Sequence, residues 1–201
     1  MDGLQAVLGA FENRFQQFIY ISTTGVYGLD CGSEVTEQTP VNPVRPGGIA
    51  CVEAERLLES QAVRATVLRL AGIYGPERVP NLSAIKDRQW DKLNPNGHVN
   101  LIHVNDAAEI VLRVSNDPKP HETFFVSDGE PALRKDFYNF IAEQLGETID
   151  WSQSNKASST RSADKRISNG KLLKAFPDVL RYPNYRAGIV ELLADSSGGC
   201  R

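Results

Sequence analysis

The chain has 201 residues, 41% hydrophobic and 23% charged, with a formal net charge of −3 at pH 7 and a pI near 5.7. Those values describe a globular chain with enough apolar mass for a core, and they argue against nucleic acid or an anionic membrane as partner. No apolar run reaches 18 residues, and Cys31, Cys51 and Cys200 lack any C-x-x-C spacing, so no membrane span and no metal site are expected, and reduced thiols in the cytoplasm are the default.

In chain order, Leu4 to Phe15 carries apolar residues at helical spacing. Phe18–Ile21 is a short β-branched and aromatic run that reads as a strand buried on both faces, as in a parallel sheet. Ligands in open α/β sheets lie beyond the strands' C-terminal ends, where this strand leads into Ser22, Thr23, Thr24 and two glycines. Leu29 to Val44 reads as loop, and Gly48 to Ala62 as a helix. A second strand, Ala65–Leu70, runs into Ala71-Gly72-Ile73-Tyr74-Gly75-Pro76. Leu82 to Leu93 is expected to be helical, and Asn94 to Gly97 a turn. Ile102-His103-Val104-Asn105-Asp106 leads into a helix over Ala107 to Val114, followed by a strand at Thr123–Val126 and a helix over Leu133 to Leu145. Ser152 to Ser162 is polar and reads as a mobile loop. A short helix opens near Ser168, Ile189 to Leu193 closes the fold, and Ser196 to Arg201 reads as a frayed tail.

The chain therefore starts with a helix feeding a strand, as though inside a βαβ series. A dinucleotide-binding fold opens with a strand and a glycine-rich turn at a helix N-terminus. No G-x-G-x-x-G is present, and Gly25-x-x-Gly28 leads into loop rather than helix. The expectation is a missing first half of roughly 60–100 residues, since each βαβ unit takes about 30 or more. The alternative is a small protein that completes its sheet with another chain.

Ser22-Thr23-Thr24-Gly25-Val26-Tyr27-Gly28, the Leu-Arg strand end before Tyr74-Gly75-Pro76, and Ile102-His103-Val104-Asn105-Asp106 together resemble the extended short-chain dehydrogenase/reductase family of epimerases and dehydratases. The resemblance covers the whole visible chain and implies an α/β fold: a partial doubly wound, Rossmann-like parallel sheet with a small C-terminal substrate lobe. Residues 1–75 would form the C-terminal half of an NAD(P)-binding domain. Residues 76–201 would form the substrate lobe, with elements around 101–127 returning to the sheet. The resemblance places Thr23 at the catalytic Ser/Thr position and assigns Ser22, Thr23, Leu70, Ala71, Gly72 and Ile73 to NAD or NADP. Thr24 and Arg78 would face a small-molecule or nucleotide-sugar-like substrate.

The family's chemistry rests on Pro-Tyr-x-x-x-Lys-x-x-x-Glu, in which the lysine lowers the tyrosine's pKa so that it can exchange a proton near neutral pH. Pro46 and Glu55 set the register here, and Gly47 and Cys51 fall at the Tyr and Lys positions. Gly47 has no side chain and Cys51 is no cation. Cys51 reads as a structural thiol, being mid-helix with no histidine nearby in sequence. His103 reads as a local hydrogen-bonding group, Tyr27 and Tyr74 as packing residues with a polar end, and His98 and His121 as turn residues. Arg161, Lys165, Arg166 and Lys171 read as a solvated face. The sequence implies an atypical member with a degenerate active site; the other readings are a non-catalytic nucleotide-sensing or interaction module, or a gene fragment.

Overall fold

The computed structural model describes residues 2–11, 15, 17–28, 31–61, 63–117, 122–154 and 164–197. Three strands form the central parallel sheet: β1 (Phe18–Thr23), β3 (Ala65–Leu70) and β7 (Thr123–Val126), in the order β1-β3-β7. Phe18 lies opposite Ala65, and Leu70 opposite both Thr23 and Val126. All three strands therefore end at one edge, which is where a parallel sheet offers its site. Helices α1 (Asp2–Phe11) and α2 (Pro46–Ser60) meet through Leu8, Leu58 and Val63, and α4 (Val104–Asn116) packs through Ala107, Ile110 and Val114. Leu68, Leu70, Phe124 and Val126 share the core with α4.

The remaining strands are short. β2 (Ser33–Val35) pairs in parallel with β9 (Lys165–Ile167), and β4 (Gly72–Tyr74) with β6 (Leu101–His103). β5 (His98–Val99) pairs antiparallel with β8 (Ala132–Leu133). A second core, around Tyr74, Ile85, Leu93, Phe137, Ile141 and Tyr185, binds α3 (Leu82–Lys86), α5 (Arg134–Gln144) and α7 (Tyr185–Ser197). α6 (Gly170–Ala175) contributes Leu172 to the sheet core.

Four expectations change. The first strand is not buried on both faces: Phe18, Ile19 and Tyr20 are half-buried and Ile21 is 48% exposed. The reason is position, because among the described residues β1 has a paired neighbour only in β3. The stretch read as loop contains β2, which is recruited by β9 from about 130 residues away. The helix expected over Leu82 to Leu93 stops at Lys86 and resumes as a single 3₁₀ turn at Trp90–Lys92. Arg88 adopts φ 53°, a left-handed conformation that interrupts an α-helix at a non-glycine residue. The first helix is described over Asp2–Phe11 and does not include Phe15, and residues 12–14 lie outside the described residues. So do most of the expected mobile loop, the end of the tail, His121, Arg161 and Cys200.

The Ile-His-Val-x-Asp segment shows how sequence becomes a joint. His103 caps α4, its Nδ1 accepting a hydrogen bond from the Asn105 amide at 3.2 Å. Burial holds the imidazole pKa below its usual value despite the opposing pull of Asp106, which suits a neutral ring acting as acceptor. The ring lies between Tyr74 and Tyr182, with centroids 5.1 and 4.0 Å away. Asp106, in the first turn where the helix dipole favours an anion, accepts from the Arg181 and Tyr182 amides at 3.0 and 2.9 Å. His103 is thus a structural group that ties the sheet to the C-terminal lobe.

Candidate functional site at the C-terminal edge of the sheet

Beyond β1 and β3 lies a buried polar network. Arg69, on β3, donates to Glu55 Oε1 at 3.1 Å and Oε2 at 2.5 Å, and to the Tyr27 hydroxyl at 2.5 Å. Ser22 donates to Glu55 Oε1 at 2.6 Å. Burial opposes the Arg69 charge, but the Glu55 hydrogen bonds and charge outweigh it and hold the guanidinium pKa above its usual value. The network is nearly dry, with the Arg69 and Glu55 side chains 10% and 8% exposed. Glu55 of the family-like register and Arg69 of the Leu-Arg strand end are therefore partners that lock α2 to the sheet.

Thr23 ends β1 and caps the next turn, its Oγ1 accepting from the Gly25 amide at 3.0 Å. Ser22 is committed to Glu55. The Ala71 and Gly72 amides bond to the Val126 and Asn100 carbonyls, each at 2.9 Å. Leu70 and Ala71 are buried, Ile73 is half-buried and Gly72 is exposed. Arg78 sits in an exposed turn closed by its own backbone bonds to Gly75.

Gly47 and Cys51 fall on successive turns of α2 and face different surroundings. A Cβ built at Gly47 meets nothing within 4 Å, so the family's tyrosine position is open space. Its neighbour Gly48 has the opposite constraint, because a Cβ there would collide with the Gly25 carbonyl oxygen. Two glycines weaken the start of a helix by about 1 kcal/mol each relative to alanine, and only the second is demanded by packing. Cys51 is half-buried against the Val26, Tyr27 and Val52 cluster. Burial, followed by Cys51 and Glu55, pushes the nearby Tyr20 phenol up to about 12, so it is no substitute base at neutral pH.

A cleft of about 340 Å³ opens between the sheet edge and the C-terminal lobe. Thr24 and Gly72 line it from the sheet side, and His98, Arg134 and Lys165 from the lobe. Arg45, just before α2, completes a cationic rim. Of the residues assigned by resemblance, the structure brings Thr24 and Gly72 into this cleft, whereas Ser22, Thr23, Leu70, Ala71, Ile73 and Arg78 are not in its lining. A larger depression of about 560 Å³ lies between α3 and α7 and contains none of the expected site residues.

Lys165 corrects the expectation of a solvated basic face. It is 6% exposed, and its Nζ donates to the Tyr27 carbonyl at 2.9 Å. β9 is held in place by β2 and by Asn100, whose Nδ2 donates to the Lys165 carbonyl at 2.9 Å and whose Oδ1 accepts from the Ile167 amide at 2.8 Å. Asp164, one residue earlier, pairs instead with His98: 3.0 Å to its amide and 2.6 Å to Nδ1. Burial, with Arg45 and Arg134 adding to it, lowers the Lys165 ammonium to about 8. Lys171 also has backbone and ionic partners, the Thr123 carbonyl and Glu122, at 2.8 and 2.9 Å. Lys165, His98 and Arg134 line this cleft, and none of them is among the candidate site residues read from the sequence.

A parallel sheet with helices, a cleft beyond its C-terminal edge and further C-terminal elements bordering that cleft define a Rossmann-like α/β protein. The comparisons agree. Residues 2–126 match the model of the NAD dependent epimerase/dehydratase family, and the chain belongs to that family. It is 32% identical to Protein YeeZ of Escherichia coli over 145 residues, covering 71% of this chain and 51% of that protein. It is 27% identical to human dTDP-D-glucose 4,6-dehydratase over 130 residues, 59% of this chain and 37% of the relative. The chain thus spans about half or less of the length of these curated relatives. A structure of a functionally unknown conserved protein from Silicibacter pomeroyi matches 96% of this chain and 71% of its own, with 31% identity and a TM-score of 0.75. The fold is also that of Bacillus anthracis dTDP-glucose 4,6-dehydratase, solved with NAD (TM-score 0.79, 17% identity, 98% of this chain and 67% of that one).

Proposed function

We propose that this chain forms the substrate-facing part of an epimerase/dehydratase-family protein that binds an anionic, nucleotide-sugar-like ligand without ordinary oxidoreductase turnover. The observation that carries this reading is the open space at Gly47, together with a half-buried Cys51 where the family has a cation. A nicotinamide coenzyme, when bound, would accept or return hydride at the sugar. The described residues fit one end of such a group only: the edge at Thr23 and Ala71–Ile73 is where its ring would lie. No glycine-rich turn opening a helix is present among the described residues to cradle its phosphates.

Removal of a hydroxyl proton needs an acceptor at the tyrosine position. Thr23 Oγ1 is bound to the Gly25 amide, and an unperturbed hydroxyl is too weak a base at neutral pH. Loss of a general base typically costs roughly 10²–10⁴-fold, which leaves family-type turnover near background. The cationic rim of Arg45, Arg134 and Lys165 favours an anion in the cleft, in keeping with the nucleotide-sugar substrate named for the human dehydratase relative.

The test pairs binding with turnover on the natural protein. Calorimetry with dTDP-glucose and UDP-glucose should show binding, while absorbance at 340 nm and sugar-product analysis should show no conversion with added NAD or NADP. Conversion by the unaltered protein, or no binding of either sugar nucleotide, overturns the proposal. Activity that appears only in Gly47→Tyr with Cys51→Lys supports it.

A further inference from the structure

Lys165 has features that a structural lysine does not require. It is withdrawn from solvent, yet lines a cleft roomy enough for a small metabolite. Its hydrogen-bond acceptor is a neutral carbonyl, that of Tyr27. The adjacent carboxylate, Asp164, is engaged by His98. The charges that bear most on it are those of Arg45 and Arg134. Desolvation and neighbouring cations are the two environments that turn a lysine into a nucleophile.

We propose that Lys165 is a carbonyl-capturing amine, and that its cleft takes a small aldehyde or ketone bearing a phosphate or carboxylate. The inference does not depend on coenzyme or nucleotide-sugar binding. The neutral Nζ adds its lone pair to the carbonyl carbon, and a proton moves from nitrogen to the former carbonyl oxygen. Loss of water from this carbinolamine leaves a C=N bond. Amine and carbonyl thus give imine and one water, with no oxidant or reductant, and hydrolysis reverses the step. The Tyr27 carbonyl steers one N–H while the lone pair remains available. Arg45 and Arg134 line the same cleft and bear on Lys165 as positive charges, which favours a ligand that carries an anion. Lys165 at about 8 supports this picture, since roughly a quarter of such an amine is neutral at pH 7.5, against about 0.1% of an ordinary lysine near 10.4.

The experiment is reductive trapping on the intact protein. The chain is incubated at pH 7.5 with substoichiometric pyridoxal 5′-phosphate and cyanoborohydride, then with pyridoxal, and adducts are mapped by peptide mass spectrometry. The expected result is labelling of Lys165 at least about tenfold faster than of Lys135 or Lys171. Pyridoxal, lacking the phosphate, should label it several-fold more slowly, and inorganic phosphate should protect it. Lys165→Arg keeps the charge and a donor for the Tyr27 carbonyl but forms no imine. It should remain folded by circular dichroism and lose the fast-labelling site. A purely structural Lys165 predicts no adduct there. Absence of a Lys165 adduct, labelling no faster than at Lys135 and Lys171, or equal labelling by the two aldehydes each overturns the proposal.

Discussion

Arg69→Met should destabilise the protein more than any surface substitution. The change removes both hydrogen bonds to Glu55 and the one to the Tyr27 hydroxyl, leaving a carboxylate, 8% exposed, with only the Ser22 hydroxyl among the described residues. Breaking a buried pair from one side costs about 3–5 kcal/mol, because the remaining charge keeps its desolvation penalty without its partner. A chain of this size loses about 2–4 °C per kcal/mol. The expected fall in Tm is therefore about 10 °C, measured by circular dichroism at pH 7. Glu55→Met with Arg69→Met removes both charges and should recover much of that loss, since two apolar side chains of similar bulk carry no such penalty. A shift under about 2 °C for Arg69→Met would refute the account. So would a double variant as unstable as the two single changes added together.

Two adjacent glycines separate space from strain. Gly47→Ala should raise stability by up to about 1 kcal/mol through helix propensity, its Cβ being unopposed, whereas Gly48→Ala should cost several degrees of Tm, because its Cβ collides with the Gly25 carbonyl; equal melting points for the two variants would contradict this. Asp128 sets a pH dependence. Burial, only partly offset by its hydrogen bond from the Glu130 amide, pushes its pKa up from 3.8 to about 7. The folded state therefore holds a proton that the unfolded state has lost, and stability falls as pH rises from about 4 to 7. Asp128→Asn should flatten that fall in chemical denaturation at pH 4.5, 6 and 7.5, and an unchanged slope counts against a protonated Asp128.

Much of the fold was legible because its signals are local. Ala65–Leu70 and Thr123–Val126 are short runs dominated by β-branched, leucine and aromatic residues, as strands of a parallel sheet require, and both are legible to the residue. His103 was readable as a structural group since its partner is two residues away. Failures arose where distant partners decide. Nothing within Ser33–Val35 marks it as a strand, because its pairing is supplied by residues 165–167. Arg88 breaks its helix through a backbone conformation that no periodicity records, and its guanidinium then binds Glu147 at 2.9 and 2.8 Å.

Lys165 shows what kind of signal was overlooked. Lys165-Arg166-Ile167 looks like part of a basic, solvated stretch when judged by composition. As a strand it alternates, so Lys165 shares a face with Ile167 and Arg166 takes the other, which is the burial the structure has. The same period-2 logic that places hydrophobic residues in a core therefore also sends a lysine inward whenever its strand is pinned by its neighbours. Here Ile167, packed with Val35 and Phe125, supplies the apolar burial that fixes the register, and the Asn100 side chain fixes it again through the backbone. A one-residue slip would expose Ile167 and bury Arg166. The apolar neighbour and the sheet register, rather than any partner anion, thus hold Lys165 in the cleft. That arrangement keeps the amine desolvated without neutralising it by a carboxylate, and it makes a chemically distinct lysine compatible with a stable fold.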